Sequence, residues 1–420
     1  MAKKTHSDSL IKAGFVILLA YGLFNLANFV YHFMAARMLG PAEYAIVASL
    51  FSIVYLISIG SVTLQNVATK FTAEFKAKKE PEKIAYFFRR GLNKLLIFSI
   101  VIFAVYCIIS PLIANFLKIP LISVLLLGPF LIISVLIPFN RGIMQGMQKF
   151  NSLGISLIIE GVIKIIFAFL LIYLGFKANG AIFAAVIGIA VAFIFTFPAL
   201  KFNNKAKKIK LKLESKEVYR FTLISFIALF MATAIYSIDV FLVKHFFSAE
   251  IAGHYAALSL LGKIVFFGAT SIGTVMFPKI SEMHLKSKGK TRKIFKRSLL
   301  FTFIISASIT LIYFFFSKLI VSIVFGADYL SIIPLLGYFG IFMLLFSLSY
   351  ICILNKLATE KKKFIFNIII ALVLEIVLIS LFHGSLSQIV YGLITINALL
   401  FISLLKPEKL RGVFRVLRNH

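Results

Sequence analysis

Apolar runs of about twenty residues recur from one end of this chain to the other, and no other feature constrains its fold as much. Inside hydrocarbon, each backbone N–H and C=O must be satisfied by the protein itself, and a helix does this within a single segment. The runs fall at 10–36, 44–69, 92–114, 119–140, 152–175, 179–200, 221–245, 251–279, 299–320, 330–355, 364–383 and 386–405. With 61% apolar residues, 14% charged ones and a mean hydropathy of +1.01 over 420 residues, no soluble domain of useful size is left over. The longest polar stretch, 201–220, is too short and too lysine-rich to bury a core. An all-α polytopic membrane protein of about 12 transmembrane helices is expected. The first run is too long for a signal-peptide core and is read as a retained helix.

Charge sets the orientation. With the amino terminus in the cytoplasm, 38 of the 45 Lys and Arg lie in the tails and alternate loops of one face. The opposite face receives Arg37, Lys118, Lys177, Lys244 and Lys318, and Lys164 and Lys263 lie within spans. The positive-inside rule therefore predicts a multi-pass protein of the cytoplasmic membrane with both termini cytoplasmic. Nine acids share the basic face and leave it near +29, densest over 70–94, 201–220 and 279–297. Positive loops beside anionic headgroups account for this excess, so anionic membrane lipids are expected partners and nucleic acid is not.

The basic connection at 201–220 divides the spans into two sets of six, giving an amino-terminal half over 1–210 and a carboxy-terminal half over 211–420. Six spans per half start both halves on the same side, so any repeat is parallel, related by an axis along the membrane normal. A short echo agrees: Tyr44-Ala45-Ile46-Val47-Ala48-Ser49-Leu50 returns 211 residues later as Tyr255-Ala256-Ala257-Leu258-Ser259-Leu260. The outer loops are short, which weighs against an enzyme. Walker, zinc-protease and nucleophile-elbow patterns are absent from the sequence. Cys107 and Cys352 lie in apolar spans and behave as small hydrophobes. No metal site and no cofactor is called for, and the only small ion considered is a coupling H+ or Na+.

Charges inside spans are costly and mark candidate sites. Glu160 and Lys164 stand four apart on the fifth span, where they can pair. Lys263 sits near mid-depth of the eighth with no acid at helical spacing, so its partner comes from another helix, a water-filled cavity or an anionic substrate. Asp239 and Glu375 are the remaining embedded acids, available either for structural pairing or for a coupling ion. Tyr21, Asn25, Asn28 and His32 form one stripe on the first span, and Ser58, Ser61 and Gln65 form another on the second. Such stripes face protein or water, as interhelical hydrogen-bonding glue or as a cleft lining. Pro129, Pro138, Gly268, Gly273 and Pro278 offer bends.

Three segments resemble polysaccharide-biosynthesis flippases of the multidrug, oligosaccharidyl-lipid and polysaccharide exporter superfamily. They are Arg37-Met38-Leu39-Gly40-Pro41-Ala42-Glu43-Tyr44, Asn140-Arg141-Gly142-Ile143-Met144-Gln145-Gly146-Met147-Gln148-Lys149-Phe150, and Phe277-Pro278. Ala45 departs from the glycine the family often carries after the tyrosine. The resemblance implies two six-helix lobes around a central cleft, opening alternately to each side and moving a lipid-linked oligosaccharide between leaflets. On that basis Lys263, Arg37 and Arg141 are candidates for phosphate or acidic-sugar contacts, and Asn25, Asn28 and Gln65 for sugar hydroxyls, with His32 on the same stripe. Interfacial snorkelling is the competing reading of Arg37 and Arg141. The alternatives are a drug or metabolite antiporter of the same superfamily and, from a different class, a membrane-embedded glycan polymerase or ligase. Nothing in the sequence sets an oligomeric state.

Overall fold

A computed structural model describes residues 2–201, 216–286, 288–359 and 363–405, and among these every regular element is helical. In chain order they are α1 (Ala2–Ala77), α2 (Pro81–Leu117), α3 (Leu121–Gly146), α4 (Phe150–Leu171), α5 (Lys177–Ala199) and α6 (Lys216–Ile235). After these come α7 (Ile238–Phe246), α8 (Ala249–Lys286), α9 (Lys288–Val324), α10 (Ile333–Ala358), α11 (Phe364–Leu381) and α12 (Leu386–Leu405). Most of the basic connection at 201–220 and the basic tail beyond 405 lie outside the described residues.

Ten helical runs among the described residues are long and apolar enough to cross a membrane. Two of them are double: Leu19–Ala77 has 59 residues and Phe150–Ala199 has 50. At about 1.5 Å per residue each covers two crossings, so ten runs accommodate the twelve expected spans. The first double run folds back at Gly40, whose φ of 71° is open to glycine, and Pro41 then starts the second arm. The two arms lie side by side: Gln65 Nε2 donates to Tyr21 Oη at 2.9 Å, and the His32 and Phe51 rings meet at 4.9 Å. The second double run turns at Gly175, with φ of 88°, inside a π-helical turn over Ile172–Phe176.

Small residues bring α1, α3, α4 and α5 together. A side chain on Gly142 would strike the Gln65 carbonyl, and one on Gly146 would lie 2.7 Å from the Thr69 carbonyl oxygen. This four-residue spacing seats α3 against the second arm of α1, which gives the 140–150 motif a packing reason. Gly161 faces the Ala27 methyl group, and Gly188 faces the Glu160 carbonyl. Pro138 withdraws the N–H that the Ser134 carbonyl would otherwise accept, and Ser61 Oγ donates to that oxygen at 2.9 Å. Ser61 is thus interhelical glue, as is common for hydroxyls in lipid.

The seventh span, Leu223–Phe246, is broken within its length: α6 ends at Ile235 and α7 begins at Ile238. Asp239 sits in the first turn of α7 and accepts from the Val240 N–H at 2.8 Å, so its carboxylate takes up a donor that the break leaves without an intrahelical partner.

The chain divides into two compact units, Met1–Ala257 with Val321–Ser331, and Leu258–Ile320 with Ile332–His420. Residues 211–257 therefore group with the amino-terminal half. Within the first unit, Arg37 Nη1 donates to the Ile323 carbonyl at 2.7 Å and Tyr329 Oη to the Ala36 carbonyl at 3.0 Å. The second unit packs on aromatic rings: Phe339, Phe342 and Phe346 are fully buried, and Gly262 admits the Phe339 ring. Tyr313 Oη joins its helices by donating to the Leu261 carbonyl at 2.7 Å. Outward-facing apolar residues such as Ile108, Leu112, Ile194 and Phe315 form the surface a bilayer would solvate.

Candidate functional site

The densest polar constellation in the first unit is built on α4, which carries Ser156, Glu160 and Lys164 at intervals of four. The three stand one above another over about 12 Å of helix. Arg141, buried near the end of α3, reaches the lower two. Its Nη2 donates to Glu160 Oε2 at 2.7 Å and to the Ser156 carbonyl at 3.1 Å, and its Nε donates to Ser156 Oγ at 3.2 Å. An enclosed ion pair persists when further bonds occupy its remaining donors, and Ser156 supplies them here.

Lys164, only 4% exposed, turns the other way. Its Nζ donates to Asn28 Oδ1 and stands 4.5 Å from the centre of the Tyr31 ring. Asn28 is oriented by donating through Nδ2 to the Phe24 carbonyl at 2.9 Å, and Tyr31 by donating through Oη to the Ala181 carbonyl at 2.8 Å. Glu160 and Lys164 share one face of α4, and each also bonds to a partner on another helix. The guanidinium from α3 takes the carboxylate, and the lysine stem reaches an amide and a ring on α1. Two bases and one acid are thus buried together.

A second polar group lies along the arms of α1. Gln65 Nε2 donates to Tyr21 Oη and, at 3.1 Å, to Gln145 Oε1, and Thr69 Oγ1 donates to the Gly142 carbonyl at 3.1 Å. His32 is buried among the Tyr31 and Phe51 rings, with Tyr44 Oη 3.5 Å from its Nδ1.

Of the residues singled out from sequence, Asn28, Lys164, Glu160, Arg141 and Gln65 sit in these two groups. Asn25 and Arg37 are exposed, and Arg37 holds the Ile323 carbonyl. Asp239 is fully buried, and Tyr255 Oη donates to its Oδ2 at 2.8 Å. Lys263 on α8 and Glu375 on α11 are buried in the second unit. Sequence reasoning passed over Tyr31, Ser156 and Gln145. Each stands three or four residues from a residue it did select, namely Asn28, Glu160 and Arg141, so helical spacing was the available signal.

The chain matches the model of a family described as polysaccharide biosynthesis protein over residues 10–284. It is 25% identical over 298 residues to an uncharacterized membrane protein of Methanocaldococcus jannaschii, covering 65% of this chain and 68% of that one. Among solved structures, an inward-facing multidrug resistance MATE family transporter of the MOP superfamily aligns with a TM-score of 0.74 at 14% identity, over 91% of this chain and 92% of the other. A MOP superfamily transporter from Pyrococcus furiosus, described by the reverse polarity of its binding pocket, aligns with a TM-score of 0.65 at 16% identity, over 94% and 93%. These likenesses give the chain the two-lobe, all-helical fold of that superfamily. By the extent of the family match, this multi-pass membrane protein belongs to the polysaccharide biosynthesis protein family.

Proposed function

We propose that the protein is a secondary flippase that moves a lipid-linked oligosaccharide, a polyprenyl or dolichyl phosphate-linked polysaccharide precursor, from the cytoplasmic to the outer leaflet by alternating access and without a covalent step. The observation that carries this reading is the sign of the buried charge around α4: Arg141 and Lys164 accompany one acid there, Glu160. A carrier lipid can leave its tail in hydrocarbon, but its phosphate and sugars need a hydrated path with cations for the one and amides for the other. Lys164 and Lys263 are the proposed anion contacts. Asn25, Asn28, Gln65 and His32 are the proposed sugar contacts, and Arg37 is placed at the outer end of the path. Arg141, already engaged by Glu160 and Ser156, acts as a positioning residue.

A drug or metabolite antiporter is the second reading, favoured by the embedded acids Asp239 and Glu375 and by the MATE neighbours. In the flippase reading the same two acids are the groups to which a coupling H+ or Na+ is assigned. For the Pyrococcus furiosus neighbour, the reverse polarity of the binding pocket is described as suggesting a different function.

The test is movement of a fluorescent polyprenyl-linked oligosaccharide in liposomes holding purified protein, with Lys164→Gln and Lys263→Ala beside the unaltered chain. Loss of a charge-assisted contact is expected to slow movement roughly tenfold or more. Ion-driven efflux of small organic cations, with no movement of the glycan lipid, would replace the flippase reading with the antiporter one.

A further inference from the structure

Where α5 leads into the lysine-rich 201–220 connection, α2 and the end of α5 line an open cavity of about 470 Å³. Its walls are apolar, with Phe88 from α2 and Ile194 and Phe197 from α5, while Arg89 and Lys201 supply the only charges among the lining residues. Along α5 the two kinds of surface are ordered: Ile194 is 66% exposed and precedes Lys201 by seven residues, about 10 Å of helix, whereas on α2 Phe88 and Arg89 are adjacent.

The end of a helix is ordinarily unfavourable for an anion, because its last carbonyls carry partial negative charge. Here Lys149 Nζ donates to the Ala199 carbonyl at 2.7 Å, which satisfies one of those oxygens and adds a third cation beside the cavity. The Phe88 and Phe197 rings meet edge to face at 6.5 Å, closing the floor between the two helices. An apolar slot opening toward lipid, topped by cations from two helices and with no carboxylate among the described lining residues, has the two-part chemistry of an anionic phospholipid.

We propose that the cavity between α2 and α5 binds an anionic phospholipid of the surrounding bilayer, its phosphate between Arg89 and Lys201 and the start of an acyl chain along Ile194 and Phe197. A zwitterionic headgroup is disfavoured, because its cationic end would meet the same two bases. The site stands apart from the Arg141–Glu160–Lys164 group, and it does not depend on what the protein transports.

The chain contains no tryptophan, which permits a direct test. A Phe197→Trp reporter is placed in nanodiscs whose phosphatidylglycerol or phosphatidylcholine carries brominated chains, with Phe315→Trp, on the exposed surface of α9, as the control. The 197 reporter is expected to be quenched with a preference for phosphatidylglycerol of roughly fivefold or more. That preference should vanish in the Arg89→Gln/Lys201→Gln background and shrink as ionic strength rises, whereas the 315 reporter should show none. The salt series needs no substitution at Arg89 or Lys201, so the proposal stays testable if the double variant folds poorly. Equal quenching by the two lipids at 197, or a preference indifferent to both salt and neutralisation, would overturn it. So would release of the quenching by inorganic phosphate, which would make this a site for free phosphate, or by polyprenyl phosphate at trace levels, which would assign it to the carrier lipid.

Discussion

At positions 211 residues apart, the two halves of the chain differ in the charge they embed. A step of 211 residues takes Tyr44 to Tyr255, and the same step takes Asn28 to Asp239 and Lys164 to Glu375. A base and an amide in the first half therefore stand where the second half has two acids. The tyrosines diverge as well: Tyr44 Oη lies 3.5 Å from His32 Nδ1, whereas Tyr255 Oη donates to Asp239 Oδ2 at 2.8 Å. Arg141 and Glu160, which form the buried ion pair, step to Cys352 and Ala371, both buried and neither charged. At these stepped positions the first half therefore holds a buried ion pair where the second has uncharged side chains, and a buried pair of this kind needs only local partners.

The largest expected effect separates the halves by stability. Glu160→Ala leaves the Arg141 guanidinium buried without its carboxylate and is expected to cost about 3–5 kcal/mol, read as loss of thermal stability in detergent. Arg141→Cys/Glu160→Ala, which installs the second half's residues in the first, is expected to cost less than Glu160→Ala alone. Additive losses would mean that the pair is not the organising contact.

Transport comes next. Lys164→Glu gives the first half the charge of the second and is expected to slow glycan-lipid movement more than the roughly tenfold or greater slowing assigned to Lys164→Gln. Equal rates for Lys164→Glu and Lys164→Gln would show that charge sign at this position is immaterial. A smaller effect is predicted at Tyr255→Phe, which removes one donor from a buried carboxylate and should cost about 1–3 kcal/mol of unfolding stability. Smallest of all is Tyr44→Phe, at about 0.5 kcal/mol or less, because a 3.5 Å contact is long for a hydrogen bond. If the two tyrosine variants proved equally costly in the same thermal assay, the asymmetry between the halves would lose one of its supports.

Much of the fold was legible because hydrocarbon imposes a one-dimensional rule: a span needs a minimum apolar length, and breaks fall where glycine or proline permits. Gly40-Pro41 and Gly175 obey it. The break before Asp239 does not announce itself, since Tyr236 and Ser237 are compatible with a continuing helix, and it is marked by the donor from Tyr255 and the N–H of Val240. Helical spacing grouped Asn28 with His32 and Glu160 with Lys164 correctly as neighbours along their helices, yet it could not choose among partners on other helices. That Lys164 would meet Asn28 and Tyr31 depended on Gly161 letting α1 approach α4, and that Glu160 would meet Arg141 depended on where α3 is seated.

By itself, the sequence determined that this chain is a many-spanning helical membrane protein with one strongly basic face, since apolar run length and charge counts are properties of the chain in order. Only the tertiary structure decided which buried charges neutralise which, where the seventh span breaks, and where two bases meet an apolar slot between α2 and α5. Those outcomes turn on distances of a few ångströms between residues far apart in sequence, and in a low-dielectric interior such distances govern whether a charge is held, paired or left to a ligand.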